Sequence, residues 1–338
     1  MISINIRDLK TQLQNSKKII VIPHKNPDGD AIGSCVAINE LLKSLGHKSS
    51  IISPNNFPDF LKWMDKEHEI NIYENNPELY NNEILSSDII FTLDFNSLSR
   101  IGSMREIVND SNALKIMIDH HQNPENYANY TYSDVNMSST CEMVFHFIAE
   151  LSLNDKINSK IASALYTGIM TDTGSFKFPL TTSVTHKVVS ELIKKGANGN
   201  QINNLVYDNN SYDKLLLLSH TLSNMIVDTQ HKTAYMYLTQ QSLNKYNFKK
   251  GDTEGFVNYG LTIKGVKFAA IFIENEADEI IKISLRSKGN FNVNEFSRDN
   301  FNGGGHINAA GGYSKENLKD TVSKFKKLLP QYKTKLSK

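Results

Sequence analysis

The first half of the chain alternates short apolar runs with amphipathic stretches, a pattern typical of a parallel α/β fold. Strands buried on both faces are near-continuous apolar runs. Residues 19–22, 88–94 and 114–119 have this character. The first run is followed by Pro23 and His24, and the other two end at Asp94 and Asp119. Because open α/β sheets place their sites beyond the carboxyl ends of the strands, we expect these polar residues to lie close together.

The amphipathic stretches predict helices, and the second half of the chain changes character. A first helix is expected from the turn at residues 26–30 to Gly46, and others at residues 139–151, 158–171, 182–195 and 213–225. Residues 231–238, 266–274 and 280–286 are rich in β-branched side chains and predict strands. A short helix at 292–298 and a terminal helix at 316–329 are expected, and residues 54–87 show no pattern that we recognise.

The length of 338 residues indicates two domains, at roughly 100–200 residues each. A polar stretch separates the two patterns. We therefore predict an N-terminal α/β lobe with a largely parallel sheet over residues 1–196, a linker over 197–212 and a smaller α/β domain over 213–338. We expect the active site in the cleft between the two lobes.

Charge and composition exclude several functional classes. The 37 basic and 36 acidic residues give a net charge of +1, whereas proteins that hold long nucleic acids carry a basic face. No apolar stretch approaches the roughly 18–20 residues that span a membrane, and no signal-peptide pattern opens the chain. A cytoplasmic protein without membrane or long nucleic-acid partners is expected. Cys35 and Cys141 lie in apolar helical patterns and are predicted core residues.

The strongest functional signal is a set of acidic and histidine residues at strand ends and in loops. They are His24, Asp28, Asp30, Asp94, Asp119, His120, His121 and Asp172. Carboxylates crowded into one cleft repel each other unless cations neutralise them. Hard divalent ions favour aspartate oxygens, and Mn²⁺ also accepts imidazole.

Individually, these residues have structural explanations. Asp28 alone would be a helix cap or turn former, Asp94 could cap a following helix, and Asp172 could belong to a helix-terminal turn. Four separate segments would then each need an independent explanation. A divalent-metal site accounts for all of them together, and we predict one.

A glycine-rich segment near the end of the chain is the second functional signal. Gly303, Gly304 and Gly305 precede His306, and another glycine pair follows at residues 311–312. Backbone N–H groups of such a loop can bind an anion, and the absence of side chains lets a ligand approach closely. A flexible loop is the alternative for the glycines alone, and the histidine directly after them favours binding.

Together these segments resemble the motifs of DHH phosphoesterases. Residues 24–34 are similar to the first motif, Asp94 to the second, Asp119-His120-His121 to the namesake third, and Asp172 with Thr173-Gly174 to the fourth. The segments at 303–306 and 309–312 resemble the signature of the associated DHHA1 domain. The resemblance covers almost the whole chain, and the nearest branch is that of the compact oligoribonuclease/pAp phosphatases, also called nanoRNases.

The resemblance implies a role for each residue. His24, Asp28 and Asp94 would hold one Mn²⁺, and Asp30, Asp94, His120 and Asp172 would hold the other. His121 would contact the substrate phosphate or give a proton to the leaving oxygen, while Asp119 would orient His120. The residues expected to bind substrate are Arg286, Gly303, Gly304, Gly305, His306 and Asn308.

The implied reaction is hydrolysis of very short RNAs or linear dinucleotides from one end to mononucleotides. Removal of the 3′-phosphate of adenosine 3′,5′-bisphosphate (pAp) is a second expected activity. Alternatives are a cyclic-dinucleotide, polyphosphate or pyrophosphate hydrolase on the same metal site, a long-strand exonuclease, and a non-catalytic nucleotide-binding module. No Gly-x-Ser-x-Gly elbow or Walker-type loop occurs. The preferred base, the polarity of cleavage and a homodimer are left open.

Overall fold

A computed structural model describes residues 6–337 of the chain. Contacts within it separate two compact units, one ending at Asn209 and the other beginning at Asn210. The division falls inside the stretch that we predict as a linker. Part of that stretch is helical, because residues Gly199–Val206 form a helix whose side chains Ile202 and Val206 are buried.

A sheet of six parallel strands forms the centre of the first unit. The strands are β1 (Lys18–Pro23), β2 (Lys48–Ser53), β3 (Ile70–Ile72), β4 (Ile89–Leu93), β5 (Leu114–Asp119) and β6 (Tyr130–Ser133). Their spatial order is β3-β2-β1-β4-β5-β6, with every neighbouring pair parallel. The order reverses between β1 and β4, and such a switch point opens a crevice beyond the strand ends where ligands bind.

Helices cover both faces of this sheet. They are α1 (Ile6–Gln12), α2 (Gly29–Ser44), α3 (Pro77–Leu85), α4 (Arg105–Asp110), α5 (Thr140–Glu150), α6 (Ser159–Asp172), α7 (Ser183–Lys194) and α8 (Gly199–Val206). Ile19 and Val21 of β1 pack into the core formed with α2, α5 and α6, while Ile20 and Ile22 pack into the opposite core with α3 and α4. Burial on both faces explains why these strands are continuous apolar runs.

Helices α2 and α6 approach each other closely because small residues face one another. A Cβ atom on Gly33 would lie 2.5 Å from the carbonyl oxygen of Ala164. A Cβ atom on Gly168 would overlap Cys141 Sγ and lie 2.8 Å from Asp30 Oδ1. The approach sets the position of the site, because Asp30 lies in the first turn of α2 and Asp172 is the last residue of α6.

The second unit has a six-stranded mixed sheet. Its strands are β7 (Ile226–Asp228), β8 (Thr233–Leu238), β9 (Phe268–Asn275), β10 (Ile280–Ser287), β11 (Gly304–Gly305) and β12 (Ala309–Ser314). The order is β11-β12-β10-β9-β8-β7, and among the described strands of this second sheet only the β8–β9 pair is parallel. The predicted α/β class with a largely parallel first sheet and a second, smaller α/β unit is confirmed.

The helices of the second unit also lie on both faces of its sheet. They are α9 (Tyr212–Ser223), α10 (Gln240–Lys245), α11 (Asn258–Thr262), α12 (Val293–Asn300) and α13 (Leu318–Ser337). Phe296 of α12 and Phe325 of α13 pack against Phe268 and Phe272 on one face. Leu217 of α9 belongs to the core on the other face.

Two segments differ from the expectation drawn from the sequence. Helix α13 continues to Ser337 and contains Pro330, so it is longer than the predicted 316–329. Residues 54–87 contain a 3₁₀ helix (Asp59–Asp65), β3 and α3. Among residues 6–337, no helix combines the length and apolar character required to cross a membrane.

Candidate active site

Side chains from four segments of the first unit converge beyond the carboxyl ends of β1, β4 and β5. They form three groups of potential metal ligands, in each of which the ligand atoms lie within 4.8 Å of one another. The groups are His24 with Asp28 and Asp94, Asp30 with His120 and Asp172, and Asp94 with Asp119 and His121. The structure therefore brings together all six predicted metal ligands and both predicted catalytic residues.

Asp94 lies at the centre of these groups. Its Oδ2 is 3.5 Å from His24 Nε2, and its Oδ1 is 3.6 Å from His120 Nε2. The residue is 2 % exposed and has φ = 65°, a left-handed conformation that is costly for a residue with a side chain. Strain of this kind concentrates at functional sites. The two oxygens face different histidines, as a carboxylate shared by two ions requires.

The two carboxylate oxygens of Asp28 make different contacts, one with the start of α2 and one with His24. Its Oδ1 accepts from the N–H groups of Asp30 (3.0 Å) and Ala31 (3.1 Å), so it caps α2. Its Oδ2 lies 3.8 Å from His24 Nε2. His24 Nδ1 is 2.9 Å from the carbonyl oxygen of Lys25, which makes Nδ1 the donor and leaves Nε2 facing the carboxylates. The capping and metal-binding roles of Asp28 are therefore compatible.

The loop that carries Asp28 is held by a residue that sequence reasoning missed. Asn26 has φ = 57°, and its N–H donates to Asn55 Oδ1 at 2.7 Å. In return Asn55 Nδ2 donates to Asn26 Oδ1 at 2.8 Å. Asn55 is the second residue of the segment 54–87, in which no motif is recognisable, and an asparagine in a loop gives no signal of such a role.

His120 lies between two aspartates, Asp30 at the start of α2 and Asp172 at the end of α6. Its Nε2 lies 3.4 Å from Asp172 Oδ2 and 3.8 Å from Asp30 Oδ2. Its Nδ1 is 3.2 Å from the carbonyl oxygen of Met137, so the ring is oriented by the main chain. Asp172 is the ligand least evident from spacing, because it reaches the site through the close packing of α6 on α2.

Asp119 contacts His121, whereas the resemblance implies that it orients His120. Asp119 Oδ1 lies 2.7 Å from His121 Nδ1, and Asp119 Oδ2 accepts from the N–H of His121 at 3.0 Å. The physical reason is the turn after β5, which folds the main chain of His121 back onto the carboxylate two residues earlier. Asp119 is fully buried, so this contact fixes both the tautomer and the direction of the His121 ring.

The pKa shifts of the buried side chains indicate an excess of negative charge in the site. Burial, with the charges of Asp94 and Asp172, raises the pKa of Asp30 well above its usual value. Burial would lower the pKa of His120, but Asp172, Asp94 and Asp30 raise it to about 9. Burial would raise the pKa of Asp94, but the hydrogen bond with His24 and the charge of His121 lower it. A cluster of aspartate oxygens and imidazole nitrogens with this imbalance fits divalent cations.

In the second unit, Arg286 and His306 lie at one end of the sheet. Arg286 on β10 is in register with Ala309 on β12. The N–H of His306 donates to the carbonyl oxygen of the same Ala309 at 2.7 Å. Both residues are half-buried, and Arg286 Nη1 donates to the carbonyl oxygen of Leu285 at 3.0 Å. Arg286 and His306, the residue that follows the three glycines, therefore lie on either side of Ala309 in β12.

The glycine-rich loop is a tight hairpin with internal hydrogen bonds. Gly304 and Gly305 pair with β12, and the N–H of Gly305 donates to Asn294 Oδ1 at 3.0 Å. With the His306 N–H also used within the hairpin, two donors of the expected anion-binding nest have internal acceptors. A Cβ atom on Gly303 would overlap the carbonyl oxygen of Gly311, so close backbone packing explains this glycine.

The side chain of Asn308 has a structural role. Its Nδ2 donates to Ser287 Oγ and to the carbonyl oxygen of Gly289, both at 2.9 Å. These bonds hold the turn that follows β10. Both amide hydrogens of Asn308 are used within the protein, and its contact with substrate stays a prediction.

Comparisons with known proteins agree with this geometry. Residues 18–169 match the DHH family N-terminal domain, and residues 230–333 match the DHHA1 domain. A probable bifunctional oligoribonuclease and PAP phosphatase NrnA of Streptococcus mutans is 30 % identical over 314 residues, which cover 92 % of this chain and 94 % of the relative. The bifunctional oligoribonuclease and PAP phosphatase NrnA of Bacillus subtilis is 27 % identical over 294 residues, covering 87 % and 88 %.

A solved structure is also similar over nearly the full length. The exopolyphosphatase-related protein of Bacteroides fragilis is 40 % identical with a TM-score of 0.93, covering 98 % of this chain and 97 % of that protein. The fold, the clusters around Asp94 and these matches define a metal-dependent phosphoesterase. The chain belongs to the DHH family and carries both the DHH domain and the DHHA1 domain, which confirms the resemblance seen in the sequence.

Proposed function

We propose that the protein uses two divalent ions, most suitably Mn²⁺, to hydrolyse very short oligoribonucleotides or linear dinucleotides to mononucleotides. We also propose that it dephosphorylates pAp. The observation that carries this proposal is the position of Asp94 between two histidines that belong to separate potential metal-ligand groups. Its Oδ2 faces His24 and its Oδ1 faces His120. The names of the Streptococcus mutans and Bacillus subtilis relatives support the substrate class.

The ligand assignment follows the groups. His24, Asp28 and Asp94 hold one ion. Asp30, His120 and Asp172 hold the other, together with Asp94, whose Oδ1 lies 3.6 Å from His120 Nε2. Each histidine presents Nε2, because its Nδ1 lies against a main-chain carbonyl oxygen. When bound, the two ions supply Lewis acidity at the phosphate and activate water for in-line attack.

The chain itself supplies a proton donor through His121. Asp119 holds His121 Nδ1, so Nε2 is the atom that transfers a proton to the leaving oxygen. Asp119 is fully buried and contacts the ring at Nδ1, so the two side chains act as one unit. No protein nucleophile is required, since water attacks the phosphorus.

The second unit supplies the substrate contacts. Arg286 is suited to a bidentate contact with a substrate phosphate, and His306 with the loop Gly303–Gly304–Gly305 contacts the nucleotide. The hairpin glycines allow close approach, since no side chain projects from them. The net charge of +1 favours a short substrate over a long nucleic acid.

A second candidate is hydrolysis of inorganic polyphosphate at the same metal site. The observation that favours it is the name of the Bacteroides fragilis structure, an exopolyphosphatase-related protein that is 40 % identical to this chain. A phosphoanhydride presents the same phosphoryl oxygens to the two ions, but it offers no base or ribose to the second unit.

A direct assay separates these candidates. The purified chain with Mn²⁺ is given labelled dinucleotides to pentanucleotides, pAp, cyclic dinucleotides, pyrophosphate and polyphosphate. We expect turnover of the shortest RNAs and pAp, with mononucleotides as products, and none with Asp94→Ala. Turnover confined to polyphosphate or pyrophosphate would reject the nucleotide substrate, and wild-type turnover by Asp94→Ala would reject the metal assignment.

A further inference from the structure

The first turn of α5 is directed at one of the proposed metal ligands. The N–H of Thr140 donates to Asp30 Oδ2 at 2.6 Å, and the N–H of Cys141 donates to Asp30 Oδ1 at 2.8 Å. The first N–H groups of a helix have no partner within the helix, and the helix dipole favours a negative charge there. Both oxygens of Asp30 are therefore fixed by the main chain of a distant segment.

Thr140 also contacts the shared ligand Asp94. Its Oγ1 donates to Asp94 Oδ1 at 2.9 Å, and the residue is fully buried. One residue thus holds two carboxylates from two other segments, Asp30 through its main chain and Asp94 through its side chain. The hydroxyl is the donor, because an ionised carboxylate only accepts.

The turn that carries Thr140 is itself fixed. Ser139 caps α5 by accepting from the N–H of Glu142 at 3.0 Å. The buried Glu142 Oε2 accepts from the N–H of Ser138 at 3.3 Å, from the Ser138 hydroxyl, and from Thr185 Oγ1 at 3.1 Å. Helix α7 is tied to the turn through Thr185. A displacement of this turn, which carries Thr140, would break these hydrogen bonds.

An ordinary helical threonine behaves differently. Thr167 on α6 and Thr221 on α9 are fully buried, and each donates its hydroxyl to the carbonyl oxygen four residues earlier at 2.7 Å. Thr140 is the first residue of its helix, where no such intrahelical carbonyl is available. Its hydroxyl bonds instead to a carboxylate that is 46 residues distant in the chain.

We propose that Thr140 is a positioning residue of the metal centre, which fixes Asp94 between the two ion sites while the first turn of α5 fixes Asp30. This inference rests on the proposed two-metal function and adds a residue that no motif assigned. Removing the hydroxyl leaves Asp94 Oδ1 without this donor and frees the carboxylate to rotate. Loss of an outer hydrogen bond to a metal ligand typically lowers metal affinity about 10–100-fold.

The test is titration of Mn²⁺ into the metal-free, full-length protein, followed by the EPR signal of unbound Mn²⁺. Thr140→Val keeps the size and the main-chain N–H but removes the hydroxyl, and Thr140→Ser restores it. Thr221→Val is the matched control in the other unit. We expect about 10–100-fold weaker binding for Thr140→Val, and near wild-type binding for Thr140→Ser and Thr221→Val.

Three results would overturn the inference: unchanged binding by Thr140→Val, equal weakening by Thr221→Val, or failure of Thr140→Ser to restore affinity. If Thr140→Val does not fold, as judged by thermal unfolding, Thr140→Ala is titrated with the same expectation. The readout does not depend on turnover. A wild-type protein that binds two ions but hydrolyses no nucleotide would reject the proposed substrate and leave the titration of Thr140 decisive.

Discussion

The two units hold their proposed functional residues in different ways. In the first unit, Asp30, Asp94 and His120 are almost fully buried, and each is held by a hydrogen bond from or to a distant segment. In the second unit, Arg286 and His306 are half-buried at the end of the antiparallel pair β10–β12. Rigid, buried ligands suit a fixed metal geometry, whereas accessible side chains suit contact with a ligand that enters and leaves.

This difference predicts that changes in the first unit lower kcat and that changes in the second raise KM. An interaction made only in the transition state affects kcat, whereas one made equally in the ground state and the transition state affects KM. The two kinds of residue can therefore be told apart by steady-state kinetics on a short RNA.

The largest of the kinetic effects is expected for His121→Gln. A positioned general acid contributes roughly 10²–10⁴-fold to the rate, so kcat should fall by that factor while Mn²⁺ binding is retained. Steady-state kinetics and metal titration on the same preparation check this. Loss of both ions in His121→Gln would show that His121 is a metal ligand, contrary to the role proposed.

A smaller effect, on KM, is expected for Arg286→Ala. A hydrogen bond to a charged group is worth about 1.5–3 kcal/mol, which corresponds to a rise in KM of roughly 10- to 100-fold. Lys282→Ala is the matched control, because Lys282 is an exposed cation on the same strand and the same face. Equal KM values for the two variants, or a fall in kcat alone for Arg286→Ala, would argue against a substrate contact.

The smallest effect is a pH dependence of stability in the metal-free protein. The pKa of His120 is raised from 6.5 to about 9, so its contribution to folding is fully present below pH 6.5 and is lost as the pH rises through about 9. The raised pKa of Asp30 acts in the same direction, and the lowered pKa of Asp94 affects only acidic pH. The midpoint of thermal unfolding should fall by several degrees over this window, on the order of 2–4 °C per kcal/mol.

Bound Mn²⁺ should reverse that trend. Metal ligands must be deprotonated, so ion binding replaces the protons and becomes tighter as the pH rises. Differential scanning calorimetry at several pH values measures how the midpoint of thermal unfolding changes with pH, both with and without Mn²⁺. If the midpoint of the metal-free protein rose between pH 6.5 and 9, the raised pKa of His120 would be contradicted.

The sequence predicts the central strands and the ligand set but not the edges of the sheets. Strands β1, β4 and β5 are buried on both faces and are therefore visible as apolar runs. Strand β3 has only three residues, β6 is half-buried, and β11 consists of two glycines, so none has a strong strand pattern. Edge strands form because a neighbouring strand offers hydrogen bonds, which local sequence does not reveal.

In the site, too, local sequence predicts some residues and does not reveal contacts between distant segments. The aspartates and histidines are evident from their positions, but the partner of Asp119 is decided by a turn of the main chain. Asn55 and Thr140 act through contacts with residues far away in the chain, and each is an ordinary residue in its own segment. Asp172 depends on the close approach of α6 to α2, which Gly33 and Gly168 permit.

The most direct test of the central claim is the number of ions lost when a single ligand is changed. Mn²⁺ bound per chain is measured by equilibrium dialysis and elemental analysis for the wild type, Asp28→Asn, Asp172→Asn and Asp94→Asn. We predict that the wild type binds two ions. In Asp28→Asn and in Asp172→Asn, one ion should bind more weakly and the other should bind as in the wild type. In Asp94→Asn, both ions should bind more weakly. Retention of either ion at wild-type affinity by Asp94→Asn would contradict a centre shared through Asp94.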